Sequence, residues 1–260
     1  MQQRFKLVIE YDGTGYHGWQ RQKDAPTIQE AIELALGRMT NQSPTVIGSG
    51  RTDSGVHAQN QVAHFSIDTK LTSQALKKGI NSLTPDDIVI KDCRAVADSF
   101  HARHGASSKI YDYHIFNHDT PTALFRRYTW HIRKKLDLGA MEEAMGFLRG
   151  THDFSAFEAT GSQRSHPFRT IFNTGIFSKE TGQYITLSIE GNGFLRCMVR
   201  NIVGTLVEVG LGKESPETFY EILKSRDRAT AGATAPSRGL FLRWVKYDVN
   251  EQPEQPLTIL

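Results

Sequence analysis

Within GSGRTDSGVHA, Gly48 to Ala58, a single carboxylate, Asp53, sits in a segment with glycines on either side. Glycine permits backbone geometries that other residues resist, so a short acid flanked in this way can be carried close to a ligand. The same pattern also builds ordinary turns, in which Asp bonds its own backbone. Used chemically, the carboxylate is a nucleophile or a base. Gly50 and Gly55 satisfy the G-x-x-x-x-G spacing of a phosphate loop, but Val56 and His57 follow where Lys and Ser or Thr would hold phosphates and magnesium. His57 lies four residues from Asp53, yet no third and fourth ligand stand nearby at a recognisable spacing, so no metal site is expected. Arg51, two residues before the acid, can hold a phosphate or position the loop, since residues two apart in an extended backbone project to the same side.

The elements around this loop form a regular grammar. FKLVIEY, residues 5–11, reads as a strand by its β-branched and aromatic content, and Asp12, Gly13 and Gly15 break it. Thr27 with Glu30 three residues later makes a capping box for a helix whose Ile28, Ala31, Ile32, Ala35, Leu36 and Met39 recur at helical spacing. Strands are expected around 45–48, 61–67 and 87–96, with a helix at 72–83. The second half predicts strands near 109–117, 128–132, 169–178, 184–190 and 240–248, and helices near 137–149, 194–210 and 215–225. Ser215 before Pro216 marks the start of the last helix, because the hydroxyl caps free N–H groups and proline at the first helical position lacks one. This order suggests an α+β fold of two similar domains, each an antiparallel sheet flanked by helices. The pattern lapses in DSFHARHGASS, which places the division at 1–103 and 104–249, and NEQPEQPLTIL, 250–260, reads as a poorly ordered tail.

Composition narrows the class. The two cysteines, Cys93 and Cys197, stand far apart and outside any C-x-x-C pair, which argues against disulfide scaffolds, zinc ribbons and thioredoxin-like motifs and fits a reducing cytoplasm. The N-terminus lacks an apolar h-region, and no stretch approaches the roughly twenty apolar residues of a membrane span. A net charge of +3 is only mildly basic. Its distribution says more: residues 101–135 carry seven basic and two acidic side chains together with five histidines, a pattern suited to a polyanion track.

GRTDSGVHA resembles the signature of the tRNA pseudouridine synthase A family, G-R-T-D-x-G-V-H-A, at every fixed position. YDGTGYHGWQRQ (11–22), FHARHGASSKIYDYHI (100–115), GTHDFSAF (150–157), FRTI (168–171), IEGNGFLRCMVRNIVGTL (189–206) and AGATAPSRGL (231–240) resemble further family blocks in the same order. One departure stands out: Ala233 occupies a place in AGATAP where the family pattern expects proline, which bears on the rigidity of that loop.

The resemblance implies isomerisation of uridine to pseudouridine in the anticodon arm of tRNA, at uridines 38, 39 and 40, with no cofactor and with Asp53 as the catalytic carboxylate. It implies that Arg200, which lies off the apolar face of its helix near Arg196, pairs with Asp53 and keeps it charged and oriented. Tyr111 matches the family tyrosine that lies against the target uracil, where an aromatic face replaces stacking lost on extraction of the base. Tyr113, Tyr11, Tyr16 and Trp19 read as packing, and Asp12 as a turn former. Arg126 and Arg127 are the expected RNA contacts of the basic run. Family likeness further implies a homodimer, with a basic cleft between the two domains of each chain. Two rivals remain: a non-catalytic RNA-binding protein, which leaves the intact loop unexplained, and a nucleoside or glycoside hydrolase, which ordinarily needs two carboxylates where this loop offers one.

Overall fold

The computed structural model describes residues 2–161, 166–178 and 182–247. They divide into two compact units, one formed by the chain up to Ser107 together with the described residues from Phe241 on, the other by Ser108–Leu240.

In the first unit, β1 (Gln2–Tyr11) runs between β3 (His57–Asp68) and β4 (Ile88–Val96), antiparallel to both. The short β2 (Ile47–Gly48) pairs with the free side of β3 at Ile47↔His64 and Gly48↔Ala63. Phe5, Leu7, Ile9 and Tyr11 alternate along β1 and are buried, as the two-residue period of a strand demands. Phe5 stands opposite Phe65 on β3, with the rings stacked at 5.5 Å. This face receives α1 (Ile28–Thr40) and α2 (Ser73–Leu83), which bury Ile32, Leu36, Leu76 and Ile80. Thr27 caps α1 by accepting from the Glu30 amide, and Asn41 closes it in the left-handed region at φ 53°.

The second unit is centred on β5 (Ser108–Asn117), β9 (Tyr184–Gly191) and β8 (Phe168–Ser178), paired antiparallel in that order, with β7 (Gly150–Asp153) on β8 and β6 (Trp130–Ile132) on β5. Tyr113, Ile115, Leu187 and Ile189 are buried here, as are Met141, Ile202, Leu206 and Phe219 from α3 (Leu138–Gly146), α4 (Met198–Gly210) and α5 (Pro216–Ser225). Ser215 caps α5 with Pro216 at its start, as its sequence predicts.

The mixed α+β class holds, with four differences of detail. The sheets are not wholly antiparallel, because β6 runs parallel to β5 and β10 (Leu240–Lys246) runs parallel to β3 at Phe241↔His57 and Leu242↔Ala58. That pairing carries the last strand back to the first unit, whereas a division at 103 leaves it in the second. The helix expected from residue 194 begins at Met198: Cys197 at φ 60° is incompatible with helix, so Arg196 lies in a turn and not one helical turn before Arg200. β7 is too short and polar for its sequence to announce. The basic run 101–135 is shared between the units, and the tail 250–260 lies outside the described residues.

One buried histidine makes the first unit sensitive to acid. His64 on β3 accepts the Ala102 amide on Nδ1 at 3.1 Å. Desolvation, with the charges of His101 and Arg4, pushes its pKa down to about 4 from 6.5. The unfolded chain therefore takes up a proton near pH 6.5 while the folded chain resists until about 4, so stability present above 6.5 is lost as pH falls through that window. The urea midpoint is expected to drop across it, and to drop less in His64→Gln; equal drops in both proteins would assign the acid sensitivity elsewhere.

Candidate active site

Asp53 lies half-buried in the loop between β2 and β3, and residues 11–19 run along that loop and clasp it. The Gly55 amide and the Ser54 hydroxyl both donate to Tyr16 O, at 3.2 Å each. The Trp19 amide donates to Thr52 O at 3.2 Å, and the Tyr11 hydroxyl meets Thr52 Oγ1 at 2.9 Å. At the far end, His57 Nδ1 stands 3.1 Å from the Gly13 amide and 3.0 Å from Asp12 Oδ1. Bare, that nitrogen accepts from Gly13; protonated, it pairs with Asp12. Either state ties the end of the loop to the turn at 12–15, and the ring stacks on Phe241 at 4.5 Å.

The clasp works because its backbone comes close enough to touch. Gly18 has φ +90°, and a Cβ there would stand 2.4 Å from Thr52 O and 3.0 Å from the Asp53 carbonyl carbon. A Cβ on Gly13 would fall 2.0 Å from Val56 O, and one on Gly48 would strike the Trp19 indole at 2.6 Å. Gly13 and Gly18 are thus points where two backbone segments meet without a side chain between them, and Gly48 leaves room for the indole. Asp12 shapes the turn as expected, accepting from the Thr14 amide at 2.9 Å and the Thr14 hydroxyl at 2.6 Å. Tyr11, Tyr16 and Trp19 are packing residues, each under a tenth exposed. Burial pushes the Tyr11 hydroxyl up to about 12, so it stays protonated at neutral pH and serves as no base.

Arg51 is exposed and held from behind. Its Nε donates to Gln20 Oε1 at 3.1 Å, Gln20 donates to Gln29 at 2.9 Å, and Gln29 donates to Glu33 at 2.8 Å. This relay anchors the guanidinium to α1.

Tyr111, Arg200, Arg126 and Arg127 belong to the second unit. Tyr111 is buried on β5 with its ring edge-on to Phe194 at 5.0 Å. Tyr113 is fully buried, donates to Pro236 O at 2.8 Å, and has its pKa raised by desolvation, in keeping with a core role. Arg200 is half-buried in the first turn of α4; its Nε donates to Ala235 O at 2.8 Å, and the Ala235 amide donates to Arg200 O at 3.1 Å.

The loop that lacks the expected proline is pinned by other means. A Cβ on Gly204 would lie 1.8 Å from Ala233 O, the Gly232 amide donates to Thr205 Oγ1 at 3.0 Å, and Thr234 donates to the buried Asn201 at 2.7 Å. Arg126 and Arg127 are exposed in the connection between β5 and β6, Arg126 with Nη1 on Ala123 O at 2.7 Å.

Gly13, Gly18 and Gln20 escape a reading of the sequence by motif chemistry. The available signal was YDGTGYHGWQ itself, with three glycines in six residues too dense for strand or helix.

The chain's likeness to known proteins bears on the same residues. A family model described as tRNA pseudouridine synthase matches residues 7–104 and 144–248, which include Arg51, Asp53 and Arg200 but not Tyr111, Arg126 or Arg127. The tRNA pseudouridine synthase A of Thermoanaerobacter sp. (strain X514) is 48% identical over 241 residues, covering 93% of this chain and 98% of that protein. That of Ruminiclostridium cellulolyticum is 45% identical over 244 residues, covering 94% and 99%. That of Blochmanniella pennsylvanica is 45% identical over 245 residues, covering 94% and 93%. Similarity of this degree runs almost from end to end, and the chain belongs to the tRNA pseudouridine synthase A family.

Proposed function

We propose that this isomerase acts on uridines 38, 39 and 40 of the tRNA anticodon arm, with Asp53 as its catalytic carboxylate. The bond from ribose C1′ to uracil N1 breaks, the base turns, and C1′ rejoins at C5; the hydrogen leaves C5 and one is gained at N1. Atoms and oxidation state balance, so neither a redox partner nor a cosubstrate is required. The observation that carries the reading is the clasp on Asp53: a loop held along its length by residues 11–19 presents one half-buried acid in a fixed place.

In this reading Arg51, steadied by Gln20, holds a phosphate, Arg200 is the cation that keeps Asp53 charged, and Tyr111 receives the face of the extracted uracil. Arg126 and Arg127 take phosphates of the tRNA, and the working form is a cytoplasmic homodimer. No helix among the described residues is long and apolar enough to cross a membrane.

The test is to incubate the purified protein with an unmodified tRNA transcript in EDTA, with monovalent salt raised to keep the RNA folded, and to map the product. Pseudouridine confined to positions 38–40 is expected. Free uracil would identify a hydrolase, and unchanged RNA a binding protein.

A further inference from the structure

The turn Phe100–Gly105 in the first unit lies outside the Asp53 loop, and an unusual number of side chains hold it rigid. Arg4 donates through Nη1 to Asp98 O and, at 3.0 Å, to Phe100 O. The Tyr247 hydroxyl donates to Ala102 O at 2.6 Å, and the Gly105 amide closes the turn onto His101 O at 2.9 Å. The Ala102 amide is taken by His64 Nδ1, and the Arg103 and His104 amides are taken by His101 Nδ1 at 3.2 and 3.1 Å. These acceptor roles put the hydrogen of both imidazoles on Nε2.

Rigidity here serves to display charge. Arg103 and His104 are exposed, and the Lys6 ammonium sits over the Tyr247 ring at 4.5 Å and the Phe100 ring at 5.6 Å. The His101 and His104 rings lie 4.3 Å apart, and His64 and His101 4.7 Å apart. His101 is drawn below the ordinary imidazole value by desolvation and by the charges of His104, Arg4 and Arg103. Positive charge thus converges on one imidazole whose Nδ1 is taken as an acceptor and whose Nε2–H is left to donate. An anion placed there relieves the crowding of charge and finds its donors already oriented, at small ordering cost.

We propose that the Phe100–Gly105 turn is a phosphate subsite for one phosphodiester of the tRNA, with Arg103 supplying the charge and His101 and His104 supplying N–H donors. The proposal rests on the tRNA reading above and adds a contact site separate from Asp53, Arg51 and the 126–127 pair.

The test uses Arg103→Ala/His104→Gln, two exposed positions whose side chains hold none of the bonds above. The Kd for tRNA is expected to rise about fivefold to tenfold at roughly 0.1 M salt, and the slope of log K against log salt to become shallower by about one. KM rises by the same factor, while the single-turnover rate at saturating tRNA is unchanged. Arg103→Lys retains most of the affinity, and Lys78→Ala, an exposed cation on α2, changes nothing. If the double variant binds like wild type while wild type makes pseudouridine, the subsite alone is refuted. An equal loss in Lys78→Ala reduces it to diffuse surface charge. Failure of wild type to bind tRNA at all overturns the subsite and the tRNA reading together.

Discussion

Asp53→Asn is expected to bind tRNA as wild type does and to form pseudouridine slower by on the order of a thousandfold or more. Asparagine keeps the size of the side chain and part of its hydrogen bonding, but it is no carboxylate nucleophile and no useful base. The bonds that residues 11–19 make to the backbone of the loop and to the side chains of Thr52, Ser54 and His57 are retained in the variant, and a urea midpoint beside wild type checks that the loop survives. RNA affinity comes mostly from phosphate contacts, and losing one negative charge leaves it similar or slightly tighter. The decisive comparison is single-turnover product formation beside a binding isotherm for both proteins. A mutant rate near that of wild type would make Asp53 a turn residue and end the mechanism proposed here.

Gly18→Ala is expected to injure catalysis without touching any group that does chemistry. The substitution meets two obstacles: φ +90° disfavours any L side chain, and the new methyl would stand 2.4 Å from Thr52 O. Either residue 18 leaves the left-handed region or Thr52 and Asp53 move aside, at a cost of about 2–3 kcal/mol in stability. A displacement of about 1 Å at the carboxylate slows turnover by up to about a hundredfold. Gly15→Ala is the control in the same segment, because a Cβ there meets nothing within 4 Å. Urea midpoints and single-turnover rates measured together decide the matter. A Gly18→Ala protein matching Gly15→Ala in both would mean that the clasp does not position Asp53.

These two residues also show what a sequence makes legible. Asp53 announces itself because a lone acid among glycines is chemically suggestive in one dimension, and α1 and α5 do so because Thr27, Ser215 and Pro216 act on their own neighbours. Gly18 matters through contact with residues more than thirty positions away, and no local pattern encodes that distance. The start of α4 is hidden for a related reason: FLRCMVRN has helical periodicity throughout, but Cys197 adopts φ 60° and cuts the first turn away. The return of β10 to the first unit depends on a parallel pairing with β3, which strand propensity cannot reveal. The role of the His101 turn is hidden in the same way, since its partners come from Arg4, His64 and Tyr247.

That return of β10 has a consequence for how the protein is made. Domains commonly fold as units while the chain emerges from the ribosome, amino-terminal part first. Here the first unit is discontinuous: β1 to β4 are synthesised early, but β3 waits for Phe241 and Leu242, and His57 waits for the Phe241 ring it stacks on. The strand that carries the Asp53 loop into the sheet is therefore completed only after the whole second unit has been translated. A nascent chain arrested before residue 240 holds every residue of GRTDSGVHA and still lacks the neighbour that seals its end, so assembly of the Asp53 loop is coupled to translation of Phe241 and Leu242.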